Sequence, residues 1–201
     1  MPSGGGSIVE AMQPEQSLGK YFDALYQIVM RISGSLELDE VLGYLTEETA
    51  KAVDVRASSV RLLDASGTLL EMKAVHGLSD SYLNKGPVQV ERSHVDQQIL
   101  SGQATQLVDV TSDTSFQYPE EARREGIVSL ASVPLIAHAK PIGVLRVYSG
   151  ERRTFADADM RFLVAVADLA ALCIENARLY EGAKQSYEDT MNVLWGKEPK
   201  E

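Results

Sequence analysis

In the segment Pro141–Ser149, Val144, Arg146 and Tyr148 alternate with Gly143, Leu145 and Val147. A period of two places Arg146 and Tyr148 on one face of a strand. Ser59, Arg61 and Leu63 alternate likewise within Ala57–Leu63. A guanidinium on an enclosed strand face can hold a carboxylate or phosphate through two parallel N–H bonds. It can equally form a structural ion pair, for which Asp64 and Glu71 are nearby acids.

Other groups carry weaker signals. His94 and Asp96 with Asp109 or Asp113 form a nitrogen-and-oxygen donor set, but no two stand at a specific metal-ligand spacing. Phe116 and Tyr118 are isolated aromatics in the polar stretch Thr111–Gly126, suited to lidding a pocket or anchoring a loop. Arg123 and Arg124 follow Glu120–Glu121 at helical spacing, the pattern of a solvated helix face. His76 ends a strand pattern, where it caps a turn, and nothing near His94 or His138 marks a porphyrin-sized apolar site. Ser17–Leu–Gly–Lys20 matches a serine–lysine motif without its companions, and Asn84–Lys85 reads as a chance loop dipeptide. There is no phosphate-binding loop, HExxH or paired-carboxylate arrangement.

The 201 residues carry 19 Lys plus Arg against 29 Asp plus Glu, a formal charge of −10. That balance argues against a groove for nucleic acid, which needs clustered cations. A single cysteine excludes an internal disulfide framework, a thiolate zinc cluster and any reaction needing a resolving thiol in the same chain. The sequence has no transmembrane run and no secretory leader pattern, so the expected location is a reducing cytoplasm, with no membrane partner.

These groups must be held by the surrounding elements. Residues 1–16 read as a flexible lead, within which the Ser3–Ser7 run has no assignable origin. Leu18, Phe22, Leu25, Val29 and Ile32 form one stripe of a helix ending at Ser33–Gly34–Ser35. A second helix is expected from Asp39 to about Val53, with Val41, Leu42, Leu45 and Ala52 as its stripe. Ala57–Leu63 and Thr68–His76 flank the turn cluster Asp64–Gly67 and form a hairpin. A short strand at Val88–Glu91, a helix at Val95–Leu100 and a strand at Gln106–Val110 follow. Glu120–Glu125 makes a helical turn, and Ser129–Ala137 pairs with Pro141–Ser149 through His138–Lys140. Pro134 demands an edge, bulge or strand end at its position.

From Asp157 to Trp195 the chain reads as one helix, roughly 58 Å long at 1.5 Å per residue. Its stripe is Leu163, Val166, Ala170, Cys173, Ala177, Tyr180, Lys184, Tyr187, Met191 and Leu194. A period of 3.5 residues favours pairing with another helix, although Gly182 and Lys184 weaken the seam.

Local sequence resembles a GAF domain in several ordered stretches: Ser35–Leu42, Ala57–Asp64, Ala74–Ser79, Ser101–Gln103, Glu125–Leu130, Val133–Leu135, Ile142–Leu145, Phe155–Leu163 and Glu175–Tyr180. The resemblance covers about residues 22–181, and a single domain is expected over 17–181, with 182–201 as a helical extension and tail. It implies an α+β fold: a six-stranded antiparallel sheet with the N- and C-terminal helices on one face. Loops and short helices cover a ligand pocket on the other. It also makes the first and last strands neighbours, so that Arg146, Tyr148 and Arg61 look into the pocket.

The departures narrow the function. Bilin-carrying members use a cysteine near the pocket, whereas Cys173 lies on the terminal helix. Members that reduce free methionine sulfoxide need several cysteines. Members that bind cyclic nucleotides carry Asn-Lys and a Phe-x3-Asp-Glu pattern; Phe155 and Asp159 fit, but Met160 replaces Glu, and Arg146–Ser149 replaces Asn-Lys. Ala156 cannot cap the long helix, which leaves Thr154 or Asp157 for that role.

The expectation is therefore a cytoplasmic GAF-type sensor, not an enzyme and without a cofactor or metal. It binds a small polar or anionic ligand and dimerises through its terminal helices, acting on a separate output protein. Arg146, Tyr148, Arg61, Phe116, Tyr118 and His94 are the candidate ligand-binding residues. The alternative is an interaction module whose pocket is filled by its own side chains.

Overall fold

The structure is a computed structural model that describes residues 14–34, 37–113 and 116–195. The Ser3–Ser7 run, Ser35 and the tail from Gly196 lie outside the described residues. Helix α1 (Pro14–Gly34) begins with proline, which fits a first helical turn because its missing N–H has no partner there. Residues 14–16, expected to belong to a flexible lead, are the start of this helix, and Ser17–Lys20 lies within it. Helix α2 (Leu38–Val53) buries Val41, Leu42, Leu45 and Ala52, as its apolar spacing requires.

Strands β1 (Ala57–Leu63) and β2 (Leu69–His76) form the first hairpin. Helix α3 (Asp80–Leu83), strand β3 (Val88–Gln89), a 3₁₀ turn at Val90–Arg92 and helix α4 (His94–Leu100) follow. Strand β4 (Thr105–Leu107) is shorter than its sequence pattern suggested, and helix α5 (Pro119–Glu125) precedes the second hairpin. That hairpin comprises β5 (Ser129–Ala137) and β6 (Lys140–Ser149). Its two-residue turn holds His138 at φ 49° and Ala139 at φ 60°, a primed turn built without glycine. Gly77, at φ 78°, has no such freedom to change, because a Cβ there would meet the Arg56 carbonyl at 2.3 Å.

The strands form one antiparallel sheet in the order β3-β2-β1-β6-β5-β4. Pro134 is tolerated because β4 pairs with β5 only over Leu130–Ser132, leaving Pro134 a neighbour on β6 alone. Helices α1, α2 and α6 (Asp157–Leu194) pack on one sheet face over Val60, Ala131, Val133, Leu135, Leu145 and Val147.

Two expected stripes are redistributed. On α1 the inward residues are Tyr21, Ala24 and Ile28, and the Leu18–Phe22–Val29 stripe faces outward. The Tyr21 ring stacks on Phe162 at 4.6 Å, and its hydroxyl donates to Asp159, which sets the rotation of α1. On α6, Leu163, Val166, Ala170 and Cys173 are buried against the domain, while Tyr180, Lys184, Tyr187 and Leu194 are exposed beyond it. The α6 cap also differs from expectation. Neither Thr154 nor Asp157 serves; the Asp159 carboxylate accepts from Ala156 N at 2.9 Å and from Arg153 Nη2 at 3.2 Å.

Candidate functional site

The sheet face away from the terminal helices is lined by every second residue of three adjacent strands. These are Ser59 and Arg61 on β1, Arg146 and Tyr148 on β6, and Leu130 and Ser132 on β5. All are buried. A sheet face that served packing alone would carry aliphatic side chains, as the opposite face does.

Arg146 is 2% exposed and bonded to protein partners through two of its nitrogens. Its Nη2 donates to Asp96 Oδ1 at 2.6 Å, its Nε donates to Ser132 Oγ at 2.6 Å, and its guanidinium lies 5.9 Å from the Phe116 ring centre. Burial opposes its charge, but Asp96 beside it raises the pKa overall. Asp96 is held in turn by α4: Ser93 Oγ donates to its Oδ2 at 2.6 Å and accepts from its backbone N–H at 3.3 Å. This is an N-terminal capping arrangement that also aims the carboxylate at the sheet.

Arg61 is 3% exposed, and its Nη1 donates to the Leu70 carbonyl at a long 3.4 Å. Its Nε has no hydrogen-bond partner among the described residues. Neither Asp64 nor Glu71 forms an ion pair with it among the described residues; Asp64 instead accepts from Ser66 Oγ, Thr68 N and Leu69 N in the hairpin turn. Opposite Arg61, the pairing shifts between Val60↔Ala74 and Arg61↔Met72, which leaves Lys73 as an extra residue on β2. Such bulges re-aim the side chains beside them.

Tyr148 shares a 3.0 Å hydrogen bond with Ser59 and meets the buried Tyr82 ring edge-on at 6.2 Å. Burial pushes the Tyr82 hydroxyl pKa upward. Lys85, half-buried after α3, places its Nζ 4.2 Å from the Tyr82 ring centre and 4.8 Å from that of Tyr118. Burial first, then the charges of Arg61 and Arg146, lower its pKa to about 7. Tyr118 donates to the Pro87 carbonyl at 3.0 Å, tying the insert to the loop that carries Lys85. Glu125 anchors α3 from below, accepting from Ser79 N at 2.9 Å and from the Ser79 hydroxyl.

The structure thus brings Arg61, Arg146, Tyr148, Phe116 and Tyr118 to one side of the sheet. His94 is exposed on α4 and stands apart, and Asp109 caps its own turn through Thr111. Asp159 works on the helix face, so the Phe155/Asp159 pair does not reach this site. Cys173 is buried on α6, where burial raises its pKa. Three contributors escaped the sequence reading. Asp96 reads in the sequence as a metal donor, yet Ser93-x-x-Asp96 is also a helix-start pattern, and that pattern fixes its direction. Lys85 looked like a chance dipeptide; Ser79 ahead of Asp80 was the sign that a capped turn precedes it. Ser132 gave no signal.

The GAF domain family matches residues 35–175 of this sequence. The chain belongs to that family. The Nif-specific regulatory protein of Azorhizobium caulinodans is 25% identical over 188 residues, covering 89% of this chain and 30% of that protein. This GAF chain thus spans under a third of that relative's length. Among solved structures, the GAF domain of a phosphoenolpyruvate-protein phosphotransferase (ptsP) from Coxiella burnetii superposes with a TM-score of 0.73 at 19% identity. The match covers 82% of this chain and 98% of that one. Free methionine-R-sulfoxide reductase from Neisseria meningitidis, solved with its substrate, gives 0.69 at 18% identity, covering 87% and 98%. At these identities the structural matches establish the fold, six strands with flanking helices.

Proposed function

We propose that this GAF domain is a cytoplasmic, non-catalytic sensor that binds a small organic ligand and signals through helix-mediated dimerisation. The observation carrying this reading is the polar character of the buried sheet face. Ser59, Arg61, Ser132, Arg146 and Tyr148 stand there, buried between two apolar clusters built around Ile127 and Leu130 and around Ile99 and Val144. The sheet separates that face from α1, α2 and α6, so a ligand that reshapes it acts on the helices through β1, β5 and β6. A signal requires that the ligand bind one helix arrangement better than another. The regulatory name of the Azorhizobium relative agrees with a sensory role. The thiol of Cys173, on the helix side of the fold, is poorly placed to react with anything held near Arg61.

One observation favours a ligand-free interaction module. Arg146 is satisfied by Asp96 and Ser132, and Tyr148 by Ser59, so much of the face is complete without a guest. Native mass spectrometry of protein purified from its own cells separates the two readings. A dimer carrying a small molecule supports the sensor. A dimer of bare protein mass in every preparation supports the module.

A further inference from the structure

Among the described residues, Arg61 is the buried charge on this side of the sheet that no carboxylate meets. Arg61 and Arg146 supply two guanidinium charges, and Asp96 supplies one carboxylate, which is bonded to Arg146 at 2.6 Å. Glu125 is engaged by Ser79 and Arg56. Arg61 is left with a long bond to a neutral carbonyl and an unpartnered Nε while 3% exposed. Lys85 lies against the faces of Tyr82 and Tyr118, and Tyr82 meets Tyr148, which is bonded to Ser59, two residues before Arg61 on the same strand face. Burying a charge without a counter-charge is strongly unfavourable, so a fold retains one where an anion completes it.

Resting on the sensor reading above, we propose that the ligand is a small organic anion whose carboxylate or phosphate sits between Arg61 and Lys85. The unpartnered Nε of Arg61 is a buried donor that such an oxyanion would satisfy, and a planar guanidinium can add a second parallel N–H bond. Lys85 closes the same group as a point charge from the half-exposed side, and Tyr82 and Tyr118 flank the ligand's carbon skeleton. Arg146 is a positioning residue here: its pairing with Asp96 holds α4 over the site. A net charge of −10 does not oppose such a site, because the guanidinium that lacks a counter-charge is local and buried.

The test is isothermal titration of the full chain at neutral pH with succinate, with inorganic phosphate, and with succinamide as a neutral analogue. Saturable binding of succinate or phosphate, with none by succinamide, is expected, and the anion that binds distinguishes carboxylate from phosphate recognition. Arg61→Gln and Lys85→Gln each weaken binding by roughly tenfold or more, while Lys140→Gln on the exposed hairpin leaves it unchanged. If Arg61→Gln fails to fold, Lys85→Gln alone carries the comparison, since its side chain lies at the rim. Failure of both anions to saturate, or undiminished binding by Lys85→Gln, overturns the assignment. The sensor reading would survive that result if native mass spectrometry finds a neutral ligand. Conversely, anion binding by a chain that stays monomeric would sink helix-mediated signalling and leave the site intact.

Discussion

Arg146 and Asp96, fifty residues apart, meet at 2.6 Å at 2% and 1% exposure and tie helix α4 to the centre of the sheet. Removing one partner of a buried pair leaves the other charge without compensation, which costs about 3–5 kcal/mol. Asp96→Ala should show a loss of that size in urea denaturation. Arg146→Met/Asp96→Leu should lose clearly less than the two single changes added together, because no lone charge remains. Additive losses would mean that the pair is not coupled.

Lys85 makes stability depend on pH. Its folded pKa lies at about 7, below the ordinary value of 10.5 that the unfolded chain restores. Between those values the unfolded chain holds one more proton, so stability rises with pH through that window. The cost of the buried charge is fully present below pH 7. Facing Lys85 are Arg61 and Arg146, which disfavour its charge, and Asp96 and Glu121, which favour it; Tyr82 and Tyr118 lie against the amine. In Lys85→Met the rise in urea midpoint across this window should be lost. An identical pH profile in both proteins would show that Lys85 is ordinarily solvated.

Much of the architecture was legible because hydrophobic spacing reports which side of an element is buried. β1, β5 and α2 follow their patterns closely, and the alternation along β6 separates Arg146 and Tyr148 from the helix side. What the sequence left open was pairing at a distance. Arg61 and Arg146 look alike as strand arginines, yet one meets Asp96 and the other does not, a choice made by the path of the chain between β3 and α4. Amphipathic spacing also could not say which of two apolar faces on α1 turns inward. The Tyr21 bond to Asp159, 138 residues away, decides that.

Gly143 offers a way to disturb the site from behind. It faces Leu62 across the β1–β6 pair, and a Cβ there would lie 2.2 Å from the Arg61 carbonyl and 3.1 Å from Leu135 Cδ1. The sheet must open locally to admit it. Gly143→Ala should cost about 1–3 kcal/mol, the usual range for an overpacked core, and should shift the Arg61 amide resonance in NMR spectra. Gly182→Ala is the control, since nothing lies within 4 Å of that position on the exposed part of α6. Equal and negligible effects of the two changes would mean that β1 and β6 leave room for a methyl group at Gly143.

The outward faces of α1 and α6 carry the remaining test. Phe22 is 68% exposed and Leu172 55%, with Leu18, Tyr26, Leu179 and Tyr180 also open to solvent. Leu172 and Leu179 stand seven residues apart, the repeat of a helix-pairing seam. If these residues pack against a second copy, Phe22→Glu/Leu172→Glu should convert a dimer to a monomer in sedimentation velocity runs at micromolar concentration. Within one protomer the same substitutions remove little buried area, so each should change monomer stability by no more than about 0.5 kcal/mol. Far-UV circular dichroism from α6 should then fall, because its exposed second half loses the partner that supports it. A wild-type chain that sediments as a monomer, or a variant that stays dimeric, rules out association through these faces.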